Sequence, residues 1–131
     1  MIEGGCLCGA IRYRVLGPPS MSMICHCASC ARAAGSPAVA WVTFATDRFS
    51  VVRGTAAEYH SSPPVTRTFC RACGTPLTYR HVDRPMEIDV TTRTLDDPNA
   101  FPPTHHAWME DAPPWDRPSA DLPAHPRGKP D

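Results

Sequence analysis

Apolar residues in this chain recur mainly at every second position over short stretches, and Gly or Pro separates the stretches. Ile11, Tyr13 and Val15 alternate with Arg12 and Arg14, which predicts a strand with one apolar face, ending at Pro18-Pro19. Met21, Met23 and Cys25 repeat the alternation. The run from Ala38 to Phe44 is apolar on both faces and predicts a strand in the middle of a sheet. Phe49–Val52 and Ala57–His60 flank Gly54 and predict a hairpin. Val65–Phe69 is rich in β-branched residues and predicts another strand. Met86, Ile88 and Val90 alternate with Glu87, Asp89 and Thr91, which places the two carboxylates on an exposed strand face. One helix is predicted, Ser29–Ala34, with Ser29 as N-cap, Gly35 just past its end and Pro37 beyond. Strands do not alternate with helices, so a parallel βαβ fold is disfavoured and a mainly antiparallel β-sheet protein is expected.

Composition narrows the picture. A length of 131 residues suits a single domain. Nine of the 16 prolines lie from Pro98 onward, which excludes regular structure near the end. The expected organisation is a folded domain over residues 1–118 and a loose Pro-rich tail over 119–131, with Trp108 and Trp115 anchoring the approach to the tail. Lys and Arg total 13 against 13 for Asp and Glu, so there is no basic surplus for nucleic-acid binding. The longest mainly apolar stretch, Ala38–Ala45, is far shorter than the ~20 residues of a membrane-spanning helix. The start, Met1-Ile2-Glu3-Gly4-Gly5, lacks the basic and apolar regions of a signal peptide. No membrane association and a cytoplasmic location with reduced thiols are therefore expected.

The candidate chemistry lies in seven cysteines, an odd number that cannot all pair internally. They form three groups: Cys6-Leu7-Cys8, Cys25-His26-Cys27-Ala28-Ser29-Cys30, and Cys70-Arg71-Ala72-Cys73-Gly74. Core cysteines have no reason to cluster at such spacings, whereas neighbouring thiolates at these separations can face one ion. Zinc takes four tetrahedral ligands, so Cys6 and Cys8 with Cys70 and Cys73 make a complete structural set. Cys25, Cys27 and Cys30 are one ligand short, and three protein ligands with an open position mark a catalytic zinc. Two alternatives stay open on spacing alone. His26, His60, His105 or His106 could close the trio into a second structural site. Cys27/Cys30 or Cys70/Cys73 could be redox dithiols, although the βαβ context typical of that motif is missing.

Weaker candidates are His106 and Trp108 as pocket residues, Glu87 and Asp89 as general bases, and Arg12, Arg14, Arg32, Arg67, Arg71, Arg80 and Arg84 as clamps for an acidic substrate. A phosphate loop, a nucleophile elbow and a Ser/His/Asp arrangement are all missing from the sequence.

Taken together, Gly4-Gly5-Cys6-Leu7-Cys8-Gly9-Ala10-Ile11-Arg12-Tyr13, the Cys25–Cys30 group, Thr68-Phe69-Cys70-Arg71-Ala72-Cys73-Gly74-Thr75-Pro76-Leu77, Glu87-Ile88-Asp89-Val90 and His106-Ala107-Trp108 resemble the glutathione-dependent formaldehyde-activating enzyme (GFA) family, whose domain is shared with centromere protein V. The resemblance runs from about Gly4 to about Trp115 and matches all seven cysteine positions. It implies a mainly β fold of the β-tent, zinc-ribbon-like kind, with a short helix after the central cysteine cluster. It also implies two zinc ions per chain: a structural one on Cys6, Cys8, Cys70 and Cys73, and a catalytic one on Cys25, Cys27 and Cys30. The implied activity is that of a carbon–sulfur lyase acting on an S-hydroxymethylglutathione-like adduct, with a small glutathione-like thiol and an aldehyde as partners. The rival expectations are a non-catalytic zinc-binding module, with the second ion closed by a fourth protein ligand, and a thiol redox or stress sensor, in which the trio loses zinc and oxidises.

Overall fold

The computed structural model describes residues 1–130 and is mainly β, with one α-helix directly after the central cysteine cluster. The chain divides into two compact units. The first comprises residues 1–21 and 42–101, and the second residues 22–41 together with the C-terminal segment from residue 102.

In the first unit, strands β1 (Ile2–Gly5), β2 (Arg12–Val15) and β5 (Phe49–Arg53) form an antiparallel sheet in the order β1-β2-β5. Strands β6 (Ala57–Ser62), β7 (Val65–Phe69), β8 (Pro76–His81) and β9 (Glu87–Thr91) form an antiparallel series, and the last residues of β4 (Val39–Ala45) lie beside β9. The alternation in β2 buries Tyr13 and Val15 and leaves Arg14 outside. These residues join Ile11, Val42, Phe44, Leu77, Ile88, Val90 and Leu95 in the core, which also takes in Cys6 and Cys70. Tyr13 lies against Phe49, with ring centroids 5.3 Å apart, and its hydroxyl meets Thr94 Oγ1 at 2.8 Å. That contact satisfies the phenol in an apolar setting.

Two local expectations fail in this unit. Phe49–Val52 and Ala57–His60 do not form a hairpin: β5 pairs with β2, and β6 turns tightly into β7, with Ser62 opposite Val65. The residue between them explains the divergence. Gly54 has φ 75°, and a Cβ there would run into the Ala10 carbonyl, so the chain leaves β5 in a left-handed conformation against another backbone. Asp89 is not on an exposed face, because β9 is covered on both sides and buries every residue from Ile88 to Thr91. Its carboxylate accepts a hydrogen bond from the Thr43 hydroxyl at 2.6 Å and lies 3.7 Å from the Arg84 guanidinium.

In the second unit, β3 (Met21–Cys25) leads into helix α1 (Ala28–Ala34), and the first residues of β4 return beside β3. The helix begins one residue earlier than expected, and the cap is Cys27 rather than Ser29, with the Cys27 sulfur accepting the Cys30 N–H at 3.4 Å. Gly35 closes it at φ 62°. Strand β10 (His106–Ala107) pairs with β3 in parallel, His106 opposite Ile24 and Ala107 opposite Cys25. This departs from a purely antiparallel arrangement. Parallel neighbours need a long crossover, and here 80 residues separate β3 from β10.

Several C-terminal residues hydrogen-bond to the β10 segment. His106 N–H donates to the Pro123 carbonyl at 2.8 Å, His125 N–H to His106 O at 2.9 Å, and Trp108 N–H to Arg127 O at 3.0 Å. Proline forbids a regular ladder, but its carbonyl remains a good acceptor, so an irregular segment can still be tied down. Trp115 does not anchor it, since that side chain is 71% exposed.

Candidate metal centres

Each unit contains one cysteine cluster. In the first, the turn from β1 to β2 carries Cys6 and Cys8, and the turn from β7 to β8 carries Cys70 and Cys73. The two turns are built alike. Cys6 N–H donates to Ile11 O and Gly9 N–H to Cys6 O; Cys70 N–H donates to Thr75 O and Gly74 N–H to Cys70 O. Gly9 and Gly74 adopt φ of 82° and 81°, the left-handed conformation that lets each turn fold back on its first cysteine.

The turns converge so that all four sulfurs lie within 4.8 Å of one another. Cys6 Sγ is 3.6 Å from Cys8 Sγ, which is 3.8 Å from Cys70 Sγ. A tetrahedron with arms of about 2.3 Å, the Zn–S length, has edges of about 3.8 Å. The donor set therefore has the size and softness for one tetrahedral thiophilic ion. Thr75 joins the two turns: its hydroxyl oxygen accepts Leu7 N–H at 3.1 Å and lies 3.1 Å from Cys73 Sγ. The thiols are electrostatically unequal. The Thr75 hydroxyl and backbone N–H, with the Cys8 N–H, hold Cys73 down at about 5. At Cys8 the Ala10 N–H pulls downward, but the neighbouring Cys6 thiol and burial push it up to about 11. Burial pushes Cys6 upward, but the Ile11 N–H and the Cys70 and Cys8 thiols draw it lower overall.

The second cluster is local in sequence. Cys25 ends β3, Cys27 caps α1 and Cys30 lies in its first turn, with the three sulfurs within 4.8 Å of one another. Cys25 and Cys30 are buried and Cys27 is half-exposed. Hydrogen bonds from the Cys25 and Cys30 thiols, helped by Ser29 and the Cys30 N–H, lower Cys27 to about 2, and the Cys27 and Cys30 thiols together with burial raise Cys25. Among the described residues no histidine or carboxylate joins these sulfurs as a fourth donor.

Each histidine considered for closing the trio is engaged elsewhere or stands apart from it. His26 meets Asp116 Oδ2 through Nδ1 at 2.7 Å and His106 Nδ1 through Nε2 at 2.9 Å. His106 also meets Ser119 Oγ at 2.8 Å. His60, on β6, contacts Val65 O and Thr66 Oγ1. His105 contacts Thr104 Oγ1 and leaves its buried Nε2 unpaired. Three of the arginines considered as substrate clamps bind within the protein: Arg12 to Asp96, Arg67 to Ser61 and the Tyr79 ring, and Arg84 to Glu87. Thr75, Asp116, Ser119 and Asp111, whose carboxylate accepts Ala28 N–H at 3.0 Å, were not identified from sequence. Only Thr75, two residues past Cys73, had a positional clue.

The model of the glutathione-dependent formaldehyde-activating enzyme family matches residues 1–111. This chain belongs to that family. A Halomonas elongata protein named "Putative glutathione-dependent formaldehyde-activating enzyme" is 29% identical over 126 residues, covering 88% of this chain and 79% of its own length. An uncharacterized lyase of Schizosaccharomyces pombe is 35% identical over 83 residues, covering 62% of this chain and 58% of its own length. The crystal structure of a Rhodobacter sphaeroides protein aligns with a TM-score of 0.63 at 27% identity, covering 75% of this chain and 91% of that one. Among the described residues of this GFA-family chain, no helix is long and apolar enough to cross a membrane.

Proposed function

We propose that this GFA-family chain binds two zinc ions and acts as a carbon–sulfur lyase on a small thiol–aldehyde adduct of the S-hydroxymethylglutathione kind. The observation that carries the reading is the trio: three thiol sulfurs at one point, with no fourth protein donor among the described residues. Cys25, Cys27 and Cys30 would hold the reactive ion, and Cys6, Cys8, Cys70 and Cys73 the structural one. Three protein ligands are what a catalytic zinc uses, the fourth place going to water or substrate. Zinc bound there supplies Lewis acidity and stabilises a thiolate.

The chain's own residues divide the remaining work. Cys25 and Cys30 are buried, so solvent and substrate meet the cluster at Cys27. In the condensing direction the thiol sulfur bonds to the carbonyl carbon and the thiol proton ends on the carbonyl oxygen. The lyase direction breaks the same C–S bond, so neither direction needs a redox partner. The family and the names of the relatives support glutathione and formaldehyde as the thiol and the aldehyde. A protein that depends on seven free cysteines fits a reducing compartment such as the cytoplasm.

Zinc content, measured beside NMR of glutathione–formaldehyde exchange, tests the proposal. Two zinc per chain and exchange faster than the spontaneous rate are expected. One zinc per chain with no acceleration overturns the enzyme reading, and a trio disulfide in air without acceleration favours a redox sensor.

A further inference from the structure

We propose that Asp116 and Ser119, acting through His26 and His106, are positioning residues that hold Cys25 and Cys27 in place. The inference rests on the trio being the reactive site. Both residues lie beyond the stretch 1–111 that the family model matches.

The argument starts from a donor that has no choice. Ser119 N–H donates to His106 Nε2 at 3.2 Å, and a backbone N–H can only donate. His106 Nε2 therefore carries the lone pair, and the Ser119 hydroxyl, 2.8 Å from the same atom, donates to it as well. The proton of the neutral ring is then on Nδ1, which donates to His26 Nε2 at 2.9 Å. His26 in turn carries its proton on Nδ1 and donates to Asp116 Oδ2 at 2.7 Å. Every hydrogen bond runs the same way, from Ser119 to Asp116, and both rings are satisfied while neutral. The side chains of His26 and Asp116 are only 3% and 10% exposed, so water competes little for these bonds.

His26 stands between Cys25 and Cys27, and it is fixed at three atoms. Its N–H donates to Ala107 O at 2.9 Å, and each ring nitrogen has one of the partners above. On either side, Cys25 is in register with Ala107 and Ala28 N–H is taken by Asp111. The backbone that carries two of the three thiols is thus held from both sides by residues 106–119. A buried imidazole with both nitrogens satisfied is a stiff peg, and releasing one nitrogen leaves a polar group in the interior that the loop can relieve by moving.

The test reads thiol accessibility in reduced protein with the quartet's metal left in place and the trio emptied by a mild chelator, by pulsed iodoacetamide labelling and peptide mass spectrometry. In Asp116→Ala, buried Cys25 should alkylate about tenfold faster than in wild type. Asp116→Asn keeps an oxygen acceptor for the His26 N–H and should restore slow labelling. Ser119→Ala keeps the backbone donor and should give a smaller rise at Cys25. Buried Cys70, in the other unit, should not change in any variant. As a second readout, the thiolate-to-cobalt absorption of the trio should need about tenfold more Co(II) to saturate in Asp116→Ala and be normal in Asp116→Asn. Wild-type labelling in Asp116→Ala, an Asp116→Asn variant as fast as Asp116→Ala, or equal acceleration at Cys70 overturns the inference. The labelling involves no turnover, so failure of the enzyme reading would show separately, as missing exchange in the wild type.

Discussion

The two cysteine clusters use the same donor atom for opposite architectural purposes. The quartet is assembled from two turns far apart in the chain, with Cys8 and Cys70 separated by 62 positions, and two of its members belong to the core. The trio spans six consecutive residues at the junction of a strand and a helix, and its polar surroundings come from elsewhere. An ion held by the quartet would close a long loop and so contribute to folding; one held by the trio would close almost none. The lesson is that ligand count and sequence separation together distinguish a site that holds a fold from one that the fold holds.

The sharpest way to break that contrast is Cys70→Ser. Structural zinc sites supply on the order of 10 kcal/mol of binding energy to folding, so this variant should be insoluble or lack the native circular dichroism spectrum. A soluble, cooperatively melting product would remove the structural role of the quartet. Cys27→Ser should behave in the opposite way. It is expected to keep the wild-type spectrum and an unfolding free energy within about 1 kcal/mol of wild type, while losing one metal equivalent and at least ~100-fold in exchange rate. If it collapses, the trio is as structural as the quartet.

A finer test concerns the bridge between the two quartet turns. Thr75→Val removes the acceptor for Leu7 N–H and the hydroxyl beside Cys73, and should cost about 0.5–1.5 kcal/mol in denaturant unfolding without changing trio chemistry. An equal loss of exchange activity at native stability would mean that the two sites are not functionally separate.

The smallest expected effect is electrostatic and belongs to the quartet's unit alone. Burial raises the Asp89 carboxyl, with the Thr43 hydroxyl and Arg84 opposing it. The folded chain therefore binds more protons than the unfolded chain between the ordinary value of 3.8 and the raised one. That contribution to stability is fully present below 3.8 and is lost as pH rises through the folded value. Asp89→Asn removes the ionisation and keeps an acceptor for Thr43, so at pH 7 it should be more stable than wild type by about 1 kcal/mol, with the difference shrinking toward pH 4. Melting curves across that range decide it, and a difference independent of pH would contradict the buried-carboxyl account.

Much of this could be read directly along the chain. The alternation at Ile11–Val15 and the two-faced run from Ala38 identified real strands, and alanines between Ser29 and Gly35 identified the helix. The cysteine spacings supplied the family resemblance and the division into four and three, because a pair separated by one or two residues can converge whatever the rest of the chain does. Other features had no local signal. Asp89 alternates with core residues as an exposed carboxylate would, and only a covered second face of β9 buries it. Gly54 reads as a hairpin turn, yet the partners of β5 and β6 are set by distant strands.

Local spacing thus settled which residues could share an ion and which segments would extend or coil, since those are properties of a few neighbouring dihedrals and side chains. Long-range closure settled the rest: that the β1–β2 and β7–β8 turns meet, and that Asp116, 90 positions from His26, finishes the polar chain beside the trio. Such pairings depend on which surfaces are buried together and which backbone groups remain to be satisfied, and those quantities exist only once the whole chain has folded.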